Sequence, residues 1–245
     1  MVHFARNSGT LCSGMVVHFS PEYTNVGQTF AEKFILLGHE VIMGTRDVSN
    51  TMARTELNSN GGLTFADWIS NQNTVSLVTF KESVSKGEII INALQGAITI
   101  SAIKTCNTVD FDNKIIIDVA NPLDFSQGFP PSLLPNLQNT HSLGEEIQNT
   151  LPNAKVIKTL NTMWCGLMVN PKMINNGDHQ NFICGNDKES KVAVIEILKS
   201  FGWAKENILD LGDIKNARGS ESTLLLWTRI YGATQSGAFN FKIVK

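Results

Sequence analysis

The amino-acid sequence predicts an α/β fold with a doubly wound, mostly parallel sheet and a small α/β extension near its carboxyl end. Apolar runs of strand length alternate with segments of helical periodicity along most of the 245 residues. This alternation implies right-handed crossovers between parallel strands. Residues 88–94 and 114–119 are largely apolar, which is typical of strands that helices cover on both faces.

The first crossover carries the clearest local signals. Residues 15–19 are apolar enough to form the first strand. Val26, Phe30 and Phe34 then fall on one helical face, and Gly38 stands where a helix needs a left-handed cap. The same patterns predict strands at 40–43, 76–80, 88–94, 114–119, 154–159, 181–184 and 208–211, and helices at 65–69, 81–86, 97–106, 142–151, 188–201 and 222–231.

The chain is predicted to contain three regions. Residues 1–14 show neither helical nor strand periodicity, so we expect an irregular extension there. Residues 15–170 are predicted to form the nucleotide-binding domain, and residues 171–245 a small region for substrate binding or dimerisation. Residues 125–138 hold three of the seven prolines, which predicts a lid or a surface loop rather than a regular element.

The overall composition argues against several classes of protein. The net charge is −2 and acidic and basic residues are interspersed. The sequence therefore predicts no basic surface of the kind that binds nucleic acid or an anionic membrane. The four cysteines lack paired spacing, the five histidines form no metal-binding pattern, and His39 is expected on the surface. No apolar run approaches the roughly 18 residues of a membrane span. We therefore expect a cytoplasmic protein with reduced thiols, no metal and a small-molecule partner.

Residues 26–47 carry the strongest functional signal. Arg46 follows the second predicted strand, about twenty residues after Gly27. At this position of a dinucleotide-binding unit an acid favours NAD, whereas an arginine accommodates the 2′-phosphate of NADP. We predict that Arg46 binds this phosphate and that Thr45 donates its hydroxyl to it; the alternatives are a surface arginine and a turn threonine. The other predicted cofactor contacts lie at the amino end of the first helix and at strand ends: Thr24, Asn25, Val26, Gly27, Ala93, Leu94, Asn121 and Pro122.

The loop before the first helix departs from the usual dinucleotide fingerprint. That fingerprint places glycines for a tight turn, for close approach to the pyrophosphate and for helix packing. Glu22 and Thr24 occupy the first two of these positions, and only Gly27 remains. Two functions therefore stay open, an active oxidoreductase and a dinucleotide-binding protein that lacks catalysis.

A second group of residues is predicted to face the substrate. Asn121 and Asn161 follow strands, where they either bind near the nicotinamide or form turns. Met163 and Trp164 either line a planar ring or belong to the core. His141, near the proline-rich segment, is the remaining candidate. We predict no catalytic side chain, because hydride transfer between two rings depends on stacking and on exclusion of water.

Several short motifs occur together along the chain. They are Asn25-Val26-Gly27, Gly38-His39-Glu40-Val41, Gly44-Thr45-Arg46-Asp47, Asn121-Pro122-Leu123, Lys158-Thr159-Leu160-Asn161-Thr162 and Gly185-Asn186-Asp187. Over residues 15–245 the sequence resembles the NADP oxidoreductases of the coenzyme F420-dependent type. The resemblance implies a Rossmann domain with NADP(H) held at Thr45 and Arg46. It also implies hydride transfer between nicotinamide and a flavin, a deazaflavin or another small redox acceptor.

The last predicted helix is apolar on more than one face. Leu224, Leu225, Leu226 and Trp227 follow one another and so cannot all point to one side of a helix. An apolar face that the chain itself does not cover favours association. We therefore predict a homodimer that uses this helix.

Overall fold

The computed structural model describes residues 15–18, 24–57 and 62–245 of the protein. The described residues form ten strands: β1 (Met15–His18), β2 (Val41–Thr45), β3 (Val75–Thr79), β4 (Ile89–Asn92), β5 (Ile115–Asp118), β6 (Leu123–Asp124), β7 (Ser132–Leu133), β8 (Lys155–Thr159), β9 (Asn181–Gly185) and β10 (Ile208–Asp210). Eight of them form one sheet in the order β10-β9-β8-β5-β4-β1-β2-β3. Neighbouring strands pair parallel except β8 and β9, which run antiparallel. The predicted doubly wound, mostly parallel α/β fold is therefore confirmed.

The helices connect these strands and cover the sheet. Within the described ranges they are α1 (Thr24–Leu36), α2 (Val48–Met52), α3 (Phe65–Ser70), α4 (Phe80–Lys86), α5 (Gly96–Ile103), α6 (Leu143–Thr150), α7 (Cys165–Val169), α8 (Lys188–Phe201) and α9 (Ala217–Thr234). From β1 the strand order runs toward one edge of the sheet through β2 and β3. The chain then returns to the other side of β1 and continues toward the opposite edge through β4, β5 and β8. Sheets of this kind bind ligands outside the carboxyl ends of the strands, where the order reverses.

Local signals explain where several helices begin and end. Gly38 follows α1 with a φ of 86°, the left-handed conformation that the sequence predicts. At α8 the Asp187 side chain caps the first turn, and Gly202 ends the helix with a φ of 108°. The side chains and backbones of Thr79 and Glu82 form a reciprocal capping box at the start of α4.

Two apolar layers cover the faces of the sheet. Ile91 on β4 belongs to the cluster that contains Phe30 and Phe34. Ile90, the preceding residue, belongs to the opposite cluster with Ile147. Successive strand residues point to opposite faces, so a run of isoleucines supplies both layers, and each buried side chain contributes about 1.5–3 kcal/mol.

Several local predictions are wrong, and two short helices, α2 and α7, are not predicted. Helix α2 follows Asp47, whose carboxylate accepts the Asn50 N–H at 2.9 Å and caps the helix. The proline-rich segment contains the short antiparallel pair β6–β7, α7 follows Trp164, and α9 begins before the predicted residue 222. His39 is buried rather than on the surface, with its ring edge-on to Phe34 at 5.7 Å.

The carboxyl-terminal strands extend the main sheet. β9 pairs with β8 and β10 pairs with β9, so strands on both sides of residue 170 lie in one sheet. The division into three regions stays a prediction, and the predicted extension at 1–14 lies outside the described residues.

Helix α9 distributes its apolar residues between the interior and the surface. Leu224 is buried, whereas Leu226 is 54% exposed. The predicted homodimer stays a prediction. Among the described helices, none is both long and apolar enough to cross a membrane.

Candidate active site

A cavity of about 540 Å³ lies at the carboxyl ends of β4, β5 and β8. The turns after these three strands, the start of α1, the β6 segment, α7 and α9 form its walls. The cavity brings together residues that the sequence assigned to two ligands, the cofactor and the acceptor. These residues are Val26, Ala93, Leu94, Asn121, Met163 and Trp164.

The turns after β4 and β5 approach each other closely at Gly96. The Gly96 N–H donates to the carbonyl oxygen of Asn121 at 3.2 Å. A Cβ atom on Gly96 would lie 2.3 Å from that oxygen and 2.7 Å from the Cα of Pro122. Glycine is therefore required here, and Pro122 supports this contact without lining the cavity.

Two asparagines connect the turns after β5 and β8. The Asn161 side-chain amide donates to the side-chain oxygen of Asn121 at 2.9 Å, and the Asn121 amide donates to the Asn161 carbonyl at 2.8 Å. Asn161 is buried, and its side-chain oxygen has no hydrogen-bond partner in the described part of the chain. Leu160, just before it, has a φ of 62°, a strained conformation of the kind that concentrates at functional sites.

Aromatic side chains form the outer walls of the cavity. The Trp227 ring stacks on Tyr231 at 5.5 Å and on Phe239 at 5.2 Å. Phe129 packs edge-on against Tyr231 at 6.1 Å, and Trp164 lies on another wall. The sequence did not assign Trp227, Tyr231 or Phe129 to the site, because they become neighbours of the strand ends only through the path of α9 and the β6–β7 segment.

A buried ion cluster anchors α9 to the sheet. The Lys158 ammonium contacts the Asp118 carboxylate at 2.8 Å and the Glu221 carboxylate at 2.9 Å, and all three side chains are buried. Glu221 also accepts the backbone N–H groups of Leu143 and Gly144 at the start of α6. Because Glu221 belongs to α9, these bonds fix the helix that supplies one wall of the cavity.

Burial and charge act in opposite directions on this cluster. Burial alone would lower the pKa of Lys158, but the neighbouring Asp118 and Glu221 outweigh it and raise that pKa above its usual value. Burial raises the pKa of Glu221, against the opposing effect of Lys158. The lysine is therefore charged at neutral pH, and its role here is structural.

His141 lies outside the residues that line the cavity. Its Nε2 atom is 2.9 Å from the Glu146 carboxylate. The neighbouring Glu145 forms a two-point ion pair with Arg218 of α9, at 2.6 and 2.8 Å. Burial would raise the pKa of Glu145, but hydrogen bonds from Arg218 and Ser142 lower it. The geometry thus places His141 beside the α6–α9 contact, and its predicted substrate role stays untested.

The carboxyl end of β2 presents the residues predicted to bind the 2′-phosphate. Thr45 is buried, and its hydroxyl lies 2.7 Å from the Thr51 hydroxyl, which donates to the Asp47 carbonyl. Arg46 is exposed and forms no ion pair with any described residue. The Asp47 carboxylate is turned toward α2 as its cap, so it leaves the guanidinium of Arg46 free for a ligand.

The start of α1 lies next to the cavity. Helix α1 begins at Thr24 and therefore includes Asn25, and Gly27 is buried in its first turn. Its first N–H groups have no partners within the helix. The loop position held by Glu22 lies outside the described residues.

The cysteines of the described residues are free thiols. Burial raises the pKa of Cys165, which lines the cavity. Burial also raises the pKa of Cys184, to about 12. Both thiols therefore stay protonated at neutral pH, and neither suits a nucleophilic role.

Comparison with known proteins identifies the family. The profile described as NADP oxidoreductase, coenzyme F420-dependent, matches residues 23–122. A crystal structure from Arthrobacter sp. FB24, described as a candidate F420-dependent NADP-reductase, is 42% identical with a TM-score of 0.86, and the match covers 96% of this chain and 100% of that one. The chain belongs to the coenzyme F420-dependent NADP oxidoreductases. The resemblance found in the sequence is thereby confirmed.

Two curated relatives of this chain are similar over shorter stretches. The F420-dependent NADP reductase of Methanocaldococcus jannaschii is 25% identical over 138 residues, which cover 56% of this chain and 59% of that protein. The metalloreductase STEAP3 of Rattus norvegicus is 29% identical over 153 residues, which cover 61% of this chain and 28% of that protein. The match thus spans less than two thirds of either relative.

Proposed function

We propose that the protein binds NADP(H) across the carboxyl ends of the parallel strands and reduces a small planar acceptor in the aromatic cavity. The observation that carries the proposal is the free guanidinium of Arg46 at the end of β2. It lies at the same edge of the sheet as the cavity beyond β4, β5 and β8. A dinucleotide of extended shape fits this arrangement, with its ribose end at β2 and its nicotinamide end at the cavity.

The residues present suit each part of such a cofactor. Arg46 offers a planar, permanently charged fork for the 2′-phosphate. The N–H groups at the start of α1, including those of Val26 and Gly27, offer donors for the pyrophosphate. Asn161 itself does not line the cavity, but it holds Asn121, which does, and the Asn121 side chain offers hydrogen-bonding atoms for an amide group such as the nicotinamide carboxamide. The Thr45 hydroxyl would donate to the phosphate only by turning away from Thr51, because the Thr51 hydrogen already goes to the Asp47 carbonyl.

NADPH supplies a hydride when bound, so this chain needs to orient two rings and keep water away. Apolar and aromatic side chains dominate the cavity walls, including Leu94, Met163, Trp164 and Trp227. Such walls exclude water and favour a flat ring. A flavin, a deazaflavin or another small redox molecule meets this requirement.

The variant Arg46→Gln tests the cofactor site. We expect the dissociation constant for NADPH to rise about 10–100-fold, because a charged hydrogen bond to phosphate contributes about 1.5–3 kcal/mol. The constant for NADH, which lacks the phosphate, should change less than about twofold. Arg54→Gln removes the same charge from the loop after α2 and should leave both constants near those of the wild type. Equal changes for the two nucleotides in Arg46→Gln would refute the phosphate site.

Turnover decides between the two functions that the sequence leaves open. Oxidation of NADPH in the presence of riboflavin, followed at 340 nm, supports the oxidoreductase. Tight NADPH binding without oxidation by any flavin, quinone or dye would instead support a dinucleotide-binding protein that lacks catalysis.

A further inference from the structure

The turn after β8 leaves the sheet through a backbone conformation that is rare for leucine. Thr159 pairs with Ile183 of the antiparallel strand β9. A straight continuation of β8 would therefore bring Asn161 opposite Asn181, the first residue of β9. Leu160 instead has a φ of 62°, a left-handed conformation that is an outlier for a bulky side chain. Such a conformation persists only where the surrounding structure holds it, so this turn needs a support.

Asn181 supplies that support with its side chain. It is fully buried, and its Oδ1 atom accepts the backbone N–H of Leu160 at 3.2 Å. Its Nδ2 atom donates to the Thr159 hydroxyl at 3.1 Å, and this hydroxyl donates to the Phe182 carbonyl at 2.8 Å. These bonds engage both ends of the amide and define its orientation. A buried backbone N–H needs a partner, so Asn181 stabilises the turn at the residue that is strained.

The direction of β9 explains why its first residue lies near the site. Strands β4, β5 and β8 are parallel, and the cavity lies at their carboxyl ends. Because β9 runs opposite to β8, the amino end of β9 lies at that same edge of the sheet. Asn181 does not itself line the cavity, so it acts on a ligand only through the turn that it holds.

The turn begins a series of contacts that ends at the cavity. Asn161 follows Leu160, and its side-chain amide donates to the side-chain oxygen of Asn121 at 2.9 Å. The Asn121 amide donates in return to the Asn161 carbonyl at 2.8 Å, and Asn121 lines the cavity. A side-chain amide has two hydrogens and two lone pairs, so these two bonds leave Asn121 one further donor and one further acceptor position for a ligand. Their direction depends on the backbone of Leu160.

We propose that Asn181 is a positioning residue for the nicotinamide half of the cofactor, because it holds the strained turn that fixes Asn121 at the cavity. The inference rests on the proposed function in placing the nicotinamide carboxamide beside Asn121. Asn181 itself makes no contact with the ligand. Strand β9 thereby contributes to the site through its amino end.

Binding of two nucleotides tests the proposal without turnover. 2′,5′-ADP has the phosphate that Arg46 is proposed to bind but lacks the nicotinamide, whereas NADPH has both. In Asn181→Ala we expect the dissociation constant for NADPH to rise about three- to tenfold, because the ligand loses one neutral hydrogen bond to Asn121. The constant for 2′,5′-ADP should change less than about twofold. Calorimetric titration measures both constants.

Two further variants show whether the Leu160 N–H is the group that matters. Asn181→Asp keeps an oxygen acceptor for this N–H, so its NADPH constant should stay within about twofold of the wild type. Asn207→Ala is the matched control, because the Asn207 side chain also donates to a backbone carbonyl, that of Gly177 at 2.7 Å. Asn207 precedes β10 and does not line the cavity. Its replacement should leave both constants unchanged.

Thr159→Val provides a second route if Asn181→Ala does not fold. The valine keeps the shape of the side chain but removes the hydroxyl that accepts from the Asn181 amide. The amide is then free to turn away from the Leu160 N–H. We expect NADPH to bind about two- to fivefold more weakly, with 2′,5′-ADP unchanged.

Three outcomes would overturn the inference. The first is wild-type NADPH affinity in Asn181→Ala or, where that variant does not fold, in Thr159→Val. The second is equal weakening of both nucleotides, which would show a general loss of structure. The third is an Asn181→Asp protein that binds NADPH as weakly as Asn181→Ala does. The proposed function fails differently, through a wild-type protein that does not bind NADPH or binds it without dependence on Arg46.

Discussion

Replacing Lys158 by methionine is expected to lower the free energy of unfolding by about 3–5 kcal/mol, because removal of one partner from a buried ion cluster leaves the others uncompensated. Lys158 is the cation between Asp118 and Glu221, and all three side chains are buried. The methionine fills similar space, so the loss reports charge rather than volume. Urea denaturation of the wild type and the variant at pH 7 measures it.

Lys155 provides a matched control on the same strand. Its ammonium is 3.6 Å from Asp187 and both side chains are partly exposed, 38% and 32%, so Lys155→Met should cost less than about 1 kcal/mol. A similar loss in both variants would contradict the role of the buried cluster.

The effect of Lys158→Met should also depend on pH. Burial already raises the pKa of Glu221 in the presence of the lysine, and removing the lysine should raise it further. A carboxyl group whose pKa is raised by folding destabilises the protein at pH values above its unfolded pKa, and the penalty disappears as pH falls toward that value. The difference between variant and wild type should therefore shrink from pH 8 to pH 5, whereas a packing defect would not.

Replacing Gly96 by alanine is expected to weaken NADPH binding by more than about tenfold and to lower stability by about 1–3 kcal/mol. The added Cβ would lie 2.3 Å from the Asn121 carbonyl oxygen and 2.6 Å from its carbonyl carbon. Both are backbone atoms, so relief requires the turns after β4 and β5 to separate. Those turns form the floor of the cavity, and Asn121 would move away from Asn161. Fluorescence titration with NADPH and urea denaturation measure the two effects.

Gly219 is the control for this substitution. It lies in α9, and a Cβ there would meet nothing within 4 Å. Gly219→Ala should leave NADPH affinity unchanged and add up to about 1 kcal/mol of stability, since alanine favours a helix. If Gly96→Ala bound NADPH as the wild type does, the close approach of the two turns would be irrelevant to the site.

Much of the fold was predictable because its signals are local. Apolar runs and helical periodicity located most strands and helices, and Gly38 marked a helix end that the structure has. The general rule for parallel sheets then placed Ala93, Leu94 and Asn121 at one edge, and the structure brings them to one cavity.

The rest depends on contacts between distant parts of the chain. Nothing near Lys158 in the sequence indicates that it is buried, because its partners Asp118 on β5 and Glu221 on α9 lie far from it along the chain. The Asn121–Asn161 pair exists only because β5 and β8 are neighbours in the sheet. The bond between Thr45 and Thr51 depends on α2. This helix is too short to show helical periodicity, although Asp47 caps its start.

The most direct test of the account is a calorimetric titration of the wild-type protein with NADPH and with NADH under the same conditions. We expect NADPH to bind at least about tenfold more tightly than NADH, because Arg46 gains a charged hydrogen bond only with the 2′-phosphate. Equal affinities for the two nucleotides, or no binding of NADPH, would contradict the account.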